Sequence, residues 1–106
     1  MKARPVAVRV FAAPDAACSQ GATWSSATAL VADRLRRLFG DAVAVEHLEI
    51  FSPRSFEFPE VMAAIEAGGA LPIVTVADRI VSQGGKLSAP VIRRAVEALL
   101  ASDQTT

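Results

Sequence analysis

Four short apolar runs along the chain have the composition and spacing of β-strands. Val6–Phe11 is nearly continuous and rich in β-branched residues, which is typical of a strand covered on both faces. Val43–Phe51 carries charged residues on both of its faces, and this predicts an edge strand or a bulge. Pro72–Val76 opens with a proline, and the dipeptide Ala77–Asp78 separates it from Arg79–Ser82. Because a proline is tolerated at the first residue of a strand, the last two runs predict a hairpin.

Three other segments have the apolar spacing of helices. The first is expected to begin at Ser25 or Ser26, either of which can cap it, and to end at Gly40. The second opens at Pro59, a residue suited to the first turn of a helix, and a pair of glycines ends it. Ser88 is a good N-cap for the third. The predicted apolar stripes are Ala27, Leu30, Val31, Leu35, Leu38 and Phe39, then Val61, Met62 and Ile65, then Val91, Ile92, Ala95, Val96, Leu99 and Leu100.

The element order is therefore β-α-β-α-β-β-α, in a single domain over residues 1–106 with a polar tail at 102–106 that is expected to fray. Strands joined through a helix are parallel with a right-handed crossover, whereas strands joined by a tight turn are antiparallel. We therefore expect an α/β fold with a four-stranded mixed sheet and helices on both faces. The residues expected to be largely buried are Val8, Val10, Leu30, Leu35, Ile73, Val74, Ile92, Val96 and Leu99.

The composition argues against several classes of partner. Of the 106 residues, 11 are Lys or Arg and 11 are Asp or Glu, so the formal net charge is zero. Nucleic-acid binding relies on a strong positive field and a membrane span needs roughly 20 apolar residues, so neither partner is expected. The one cysteine, Cys18, cannot form an intrachain disulfide, which favours a reduced, cytoplasmic setting. The one histidine, His47, has no second histidine or cysteine near it in sequence, so no metal site is expected.

Three local features point to a known family. Cys18 lies in the loop after the first strand, Leu71–Pro72 stands at the head of the third, and Gly84–Gly85 closes the hairpin before the last helix. With the element order, these features resemble the minimal thioredoxin fold of glutaredoxin-sized proteins. Ile65–Val76 is most similar to the small ArsD-type arsenic-binding proteins and related bacterial thioredoxin-like proteins. The resemblance implies that Leu71–Pro72 is the family's cis-proline peptide bond.

The same resemblance implies where a site would lie. In the thioredoxin arrangement, the loop after the first strand and the turn before the third meet at one end of the sheet. Cys18 is therefore expected near Leu71 and Pro72, at the rim of a shallow groove for a partner or substrate. Trp24 is a further candidate for lining this groove, although an aromatic residue just before a helix also packs as a hydrophobic staple.

A departure from the family pattern leaves two functions open. Thioredoxins use Cys-x-x-Cys, in which the second thiol resolves a mixed disulfide, but here the motif is Cys18-Ser19-Gln20-Gly21. One cysteine also cannot make a three-thiolate arsenic site. The first function is a non-catalytic binding or dimerising module without a cofactor, for which Phe56, Phe58 and Trp24 are candidate partner surface. The alternative is a single-thiol redox or thiol-transfer protein, in which Cys18 reacts and an outside thiol such as glutathione resolves the product.

Overall fold

The computed structural model describes residues 5–13, 24–85 and 87–104. Its strands and helices follow the expected order, and two short 3₁₀ turns, Gly40–Ala42 and Ser55–Glu57, are added to it. The elements are β1 Val6–Ala12, α1 Trp24–Phe39, β2 Val43–Glu49, α2 Pro59–Glu66, β3 Ile73–Val76, β4 Arg79–Gln83 and α3 Ala89–Gln104. The predicted α/β class is confirmed.

The four strands form one mixed sheet in the order β2-β1-β3-β4. β1 and β2 are parallel, with Val6 opposite Val43. β3 runs antiparallel to both β1 and β4, with Val10 opposite Val74 in the first pair. β2 therefore lies at an edge of the sheet, as its charged positions predict, and β1 and β3 lie in the centre.

Helices cover both faces of this sheet, as expected. Because successive side chains of a strand point to opposite faces, the residues of β1 divide between two cores. The large core, under α1 and α3, contains Val6, Val8, Val10, Val31, Leu35, Val74, Val76, Ile92 and Val96. The small core, under α2, contains Phe11, Leu48, Val61 and Ile73. Arg9 lies two residues before Phe11 and therefore shares the α2 face of the sheet.

The β3–β4 hairpin forms as predicted. The Leu71–Pro72 peptide bond is cis. The carbonyl of Pro72 accepts a hydrogen bond from the N–H of Gly84 at 2.8 Å, which joins the head of β3 to the end of β4. Ala77 and Asp78 form the turn with φ values of 51° and 68°, the conformation whose twist matches that of the flanking strands.

The buried stripe of α1 is rotated relative to the prediction. Leu30, which the spacing assigns to the core, is 70% exposed. The helix buries Thr28, Val31 and Leu35 instead. Thr28 can occupy this face because its hydroxyl donates a hydrogen bond to the carbonyl of Trp24 at 2.7 Å, which offsets the cost of burying a polar group. The prediction that Leu30 belongs to the core is wrong.

Two other stripe residues, Leu38 on α1 and Val91 on α3, are also exposed. Leu99 packs against the large core but is only half-buried, so the prediction that it is largely buried is correct only in part. None of the helices in residues 24–85 and 87–104 is long and apolar enough to cross a membrane.

The helix ends agree with the sequence in part. α1 begins at Trp24, so Ser25 and Ser26 lie in its first turn rather than before it. Ser88 caps α3 as predicted, because its hydroxyl oxygen accepts a hydrogen bond from the backbone N–H three residues on, at 3.3 Å. α3 continues to Gln104, into the stretch that the sequence assigns to a polar tail.

Candidate functional site

Residues 51–58, the connection from β2 to α2, are held by a series of short hydrogen bonds. Ser55 is fully buried, and both its hydroxyl and its N–H donate to the carbonyl of Ser52, at 2.7 and 3.0 Å. The hydroxyl of Ser52 donates to the carbonyl of Glu49 at 2.6 Å. The 51–58 connection is therefore tied to the end of β2 and presents its side chains in defined positions.

Phe51 and Phe56 form an exposed aromatic pair on this connection. Their side chains are 61% and 59% exposed, and their ring centroids lie 6.4 Å apart. Phe51 has a φ of 64°, a left-handed conformation that costs an L-residue roughly 1–2 kcal/mol. A large apolar side chain that is both exposed and held in an unfavourable backbone conformation suggests a functional role.

The sequence predicts this aromatic pair in part. Phe56 is a candidate for partner surface on the sequence alone, and its exposure agrees with that role. The sequence assigns Phe51 to the end of the second strand, but β2 ends at Glu49 and Phe51 lies within the turn that follows, which the N–H of Ser52 closes by donating to the carbonyl of Glu49. Phe58 differs from the prediction, because it is half-buried and packs edge-to-face on Phe11 of the small core, with centroids 5.3 Å apart.

A network of ion pairs lies on the α2 face of the sheet. Glu46 on β2 accepts hydrogen bonds from Arg9 Nε at 3.3 Å and from Arg54 Nε and Nη2 at 3.1 and 3.2 Å. Arg9 also donates from Nη1 to Asp78 at 2.7 Å, and Arg54 donates from Nη1 to Glu57 at 2.6 Å. The network thus connects β1, β2 and the β3–β4 turn to the 51–58 connection.

The two arginines also contact the ring of Phe58. The guanidinium carbon of Arg9 lies 4.7 Å from the ring centroid and that of Arg54 lies 5.0 Å from it. The hydrogen bonds and charges of Arg54, and then those of Arg9, lower the pKa of Glu46 against the opposing effect of burial. The hydrogen bond to Glu46 raises the pKa of Arg54. Both shifts favour the charged forms of Glu46 and Arg54, and each guanidinium group is held by two carboxylates of the protein.

The ion-pair network borders a pocket of about 360 Å³. The pocket exists because α2 is only eight residues long and covers the row of Phe11, Leu48 and Ile73, but not the next row across the sheet. That next row places Glu46, Arg9 and Thr75 side by side. The first turn of α2 forms the opposite wall.

Thr75 is the unusual residue in the pocket wall. It is 2% exposed, and its hydroxyl oxygen has no hydrogen-bond partner within the described ranges. A buried hydroxyl without a partner costs roughly 1–3 kcal/mol of stability. Sequence reasoning missed the pocket, and the one signal that could have indicated it is Arg9, a charged residue inside an otherwise apolar central strand.

The described residues of the predicted groove have different surroundings. Trp24 is half-buried and lines a different, shallow groove between the first turns of α1 and α3, with Leu30 and Pro90 among its neighbours. Leu71 packs against the small core and Pro72 is buried, and neither lines the groove at Trp24. Cys18 lies outside the described residues.

The described part of the chain holds no group of three or more His, Cys, Asp or Glu side chains that could bind a metal ion. His47, on β2, is half-buried. Its Nε2 atom is buried and has no hydrogen-bond partner among the residues that the structure describes. The carboxylates of the ion-pair network pair with arginines rather than with one another.

Comparison with known proteins supports the fold alone. No protein-family model matches the chain, and no curated protein matches it. A similar solved structure is that of a protein of unknown function, SA0789, from Staphylococcus aureus, with 18% sequence identity and a TM-score of 0.60. The similarity covers 92% of this chain and 93% of that chain. At this level of identity, the likeness shows a shared fold.

Proposed function

We propose that the protein is a small non-catalytic binding module that docks an apolar side chain of a protein partner on the aromatic pair, Phe51 and Phe56. The observation that carries this proposal is the exposure of both rings on a hydrogen-bonded connection, with Phe51 in a left-handed conformation. Aromatic anchors are enriched where proteins bind one another, and a rigid platform lowers the entropy lost on binding.

The charges near the aromatic pair suggest the chemistry of the partner. Glu49 and Glu57, which flank the pair in sequence, are both exposed. The nearby cation, Arg54, is already bound by Glu46 and Glu57. Because Glu57 is in turn paired with Arg54, Glu49 is the charge beside the aromatic pair that this cluster does not neutralise, and it favours a partner segment in which an apolar residue lies next to Lys or Arg.

A peptide selection tests this function while the natural partner is still unidentified. A random peptide library is selected on the folded protein, and the affinity of the enriched peptides is measured by fluorescence polarisation. The variant Phe51→Ser/Phe56→Ser should weaken binding by at least about tenfold, because aromatic anchors commonly contribute about 2 kcal/mol or more. The matched control, Leu30→Ser/Leu38→Ser, also removes two exposed apolar side chains and should leave binding unchanged.

Two results would count against the binding module. If the aromatic and control variants lose the same affinity, the peptides bind through general hydrophobicity. If the selection enriches no peptide with an apolar residue next to Lys or Arg, the expected partner chemistry is wrong. Circular dichroism of both variants shows whether the fold is retained. Sedimentation at increasing protein concentration tests whether the aromatic pair binds a second copy of this chain instead of another protein.

A second candidate function is single-thiol chemistry at Cys18, and the strand register favours it. Phe11 at the end of β1 pairs with Ile73 at the start of β3, so the chain leaves β1 close to Pro72. This placement and the element order support our proposal of a thioredoxin-like protein. The single cysteine is the reason for proposing that it works in the reduced setting of the cytoplasm. In this function the Cys18 thiolate attacks oxidised glutathione, forms a mixed disulfide and releases one glutathione thiolate.

Mass spectrometry tests the thiol function. Wild-type protein incubated with oxidised glutathione near neutral pH should gain one glutathionyl group, and Cys18→Ser should gain none. A measured thiol pKa well below that of free cysteine would support a reactive Cys18. Failure of the wild-type protein to form the adduct, with the thiol pKa near that of free cysteine, would leave the binding module as the better account.

A further inference from the structure

The pocket beside the ion-pair network has an excess of negative charge. Its walls include three carboxylates, at 57, 60 and 78, and both arginines of the network. Glu46 binds these two arginines as well. The two guanidinium groups, those of Arg9 and Arg54, are therefore outnumbered by four carboxylates. An added anion would meet this excess charge, whereas an added cation would reduce it.

Thr75 supplies the second observation. Its hydroxyl oxygen is buried in the pocket wall without a partner inside the described ranges, and such an atom is usually satisfied in a native protein. The hydroxyl can accept a hydrogen bond from an N–H donor. A ligand that donates hydrogen bonds would satisfy Thr75 and would also pair with the carboxylates.

The remaining wall residues indicate which uncharged group the ligand carries. Phe58, Pro59 and Val61 give the pocket an apolar side that suits a short alkyl chain. A metal ion does not fit, because no three carboxylates, histidines or cysteines in the described ranges converge on one point. A volume of about 360 Å³ lies at the lower end of the range for small-molecule pockets.

We propose that this pocket binds an alkylammonium group, which places its charge among the carboxylates at 57, 60 and 78 and donates a hydrogen bond to Thr75. The alkyl chain lies against the apolar wall formed by the first turn of α2. The ammonium group comes either from a free small amine or from a lysine side chain. The proposal goes beyond the binding of a partner at the aromatic pair and does not depend on it.

Titration with n-butylammonium chloride, followed by the backbone amide signals of the ¹⁵N-labelled protein, tests the proposal. The amine should give saturable shifts at Thr75, Asp78 and the first turn of α2. Two probes of similar size serve as controls: n-butanol lacks the charge, and sodium butyrate reverses it. Both should bind at least about tenfold more weakly, as expected for the loss of a charged hydrogen bond. The absence of saturation with the amine, or equal binding of n-butanol or butyrate, would overturn the proposal.

Substitutions identify the groups that hold the amine. Thr75→Val keeps the shape of the side chain and should weaken amine binding by about tenfold. Glu60→Gln removes one charge from the pocket wall and should also weaken binding. Glu66→Gln, at the other end of the same helix and outside the pocket, is the matched control and should leave it unchanged. Equal effects of Glu60→Gln and Glu66→Gln would show that only the overall charge matters, which would contradict a site.

A second ligand distinguishes the two sources of the ammonium group. Nα-acetyl-lysine amide presents a lysine side chain with both ends blocked. Binding as tight as that of n-butylammonium would assign the pocket to a lysine side chain, and binding that is about tenfold weaker would assign it to a free amine. If no amine binds but selected peptides still require the aromatic pair, this inference fails and the proposed function stands. If amines bind and no peptide does, the proposed function fails alone.

Discussion

Replacing Thr75 with valine should stabilise the protein. The substitution exchanges a buried hydroxyl for a methyl group of nearly the same size, at a residue that is 2% exposed in the central strand β3. Because the hydroxyl oxygen lacks a partner in the part of the chain that is described, its removal ends a desolvation cost without breaking a hydrogen bond. Valine is also β-branched and fits a strand equally well.

The expected gain can be worked out from that cost. A buried unsatisfied hydroxyl costs about 1–3 kcal/mol, so we expect Thr75→Val to raise the free energy of unfolding by about 1–2 kcal/mol. For a domain near 100 residues, each kcal/mol raises the melting temperature by about 4–8 °C. Urea denaturation followed by circular dichroism measures the change, and an unchanged m-value would show that the denatured state is unaffected.

Thr28 provides a matched control for this experiment. It is also a buried threonine, at 4% exposure, but its hydroxyl donates to the carbonyl of Trp24 at 2.7 Å. Thr28→Val should therefore lower stability by about 1 kcal/mol, since it removes a hydrogen bond that is made. If Thr75→Val destabilises the protein as much as Thr28→Val does, the Thr75 hydroxyl has a partner in solution and the argument is wrong.

Three further predictions concern packing, pH and backbone strain. Leu35→Ala should cost about 2–5 kcal/mol and the half-buried Leu99→Ala less, whereas Leu30→Ala should change stability by under about 0.5 kcal/mol in urea denaturation. Because the folded state lowers the pKa of Glu46 below its usual 4.5, the stability from this carboxylate is complete above that value and is lost as the pH falls through the folded pKa. Acid titration of Glu46→Gln should therefore show a smaller loss than wild type. Phe51→Gly should be more stable than Phe51→Ala by about 1 kcal/mol, because only glycine adopts a φ of 64° without strain; equal stability would contradict the left-handed conformation.

The parts of the fold that the sequence predicts are set by local chemistry. The hairpin follows from a proline, a β-branched run and a two-residue turn that are contiguous in the chain, and the N-cap of α3 follows from Ser88 alone. The prediction for Leu30 is wrong because helical spacing allows more than one stripe. The choice between stripes depends on Thr28, whose hydrogen bond makes a polar residue acceptable in the core.

Most of the candidate site cannot be predicted from the sequence, because its residues are distant along the chain. Arg9 bonds to Glu46 and to Asp78, which lie 37 and 69 residues further along the chain. Only the sheet register brings them together. The pocket likewise depends on where the short helix α2 stops covering the sheet, and the position of Phe51 depends on the end of β2 at Glu49. Pro59 and the glycine pair mark the ends of α2 in the sequence, but they do not show which part of the sheet the helix covers, and the end of β2 has no strong local signal.

Mapping a selected peptide onto the ¹⁵N-labelled protein tests the role of the aromatic pair most directly. Chemical shifts of the backbone amides are followed while the tightest peptide from the selection is added. Binding at the pair should produce its largest changes in residues 49–58, with little change along the first turns of α1 and α3. Largest changes around the groove at Trp24, with residues 49–58 unaffected, would contradict the proposed binding surface.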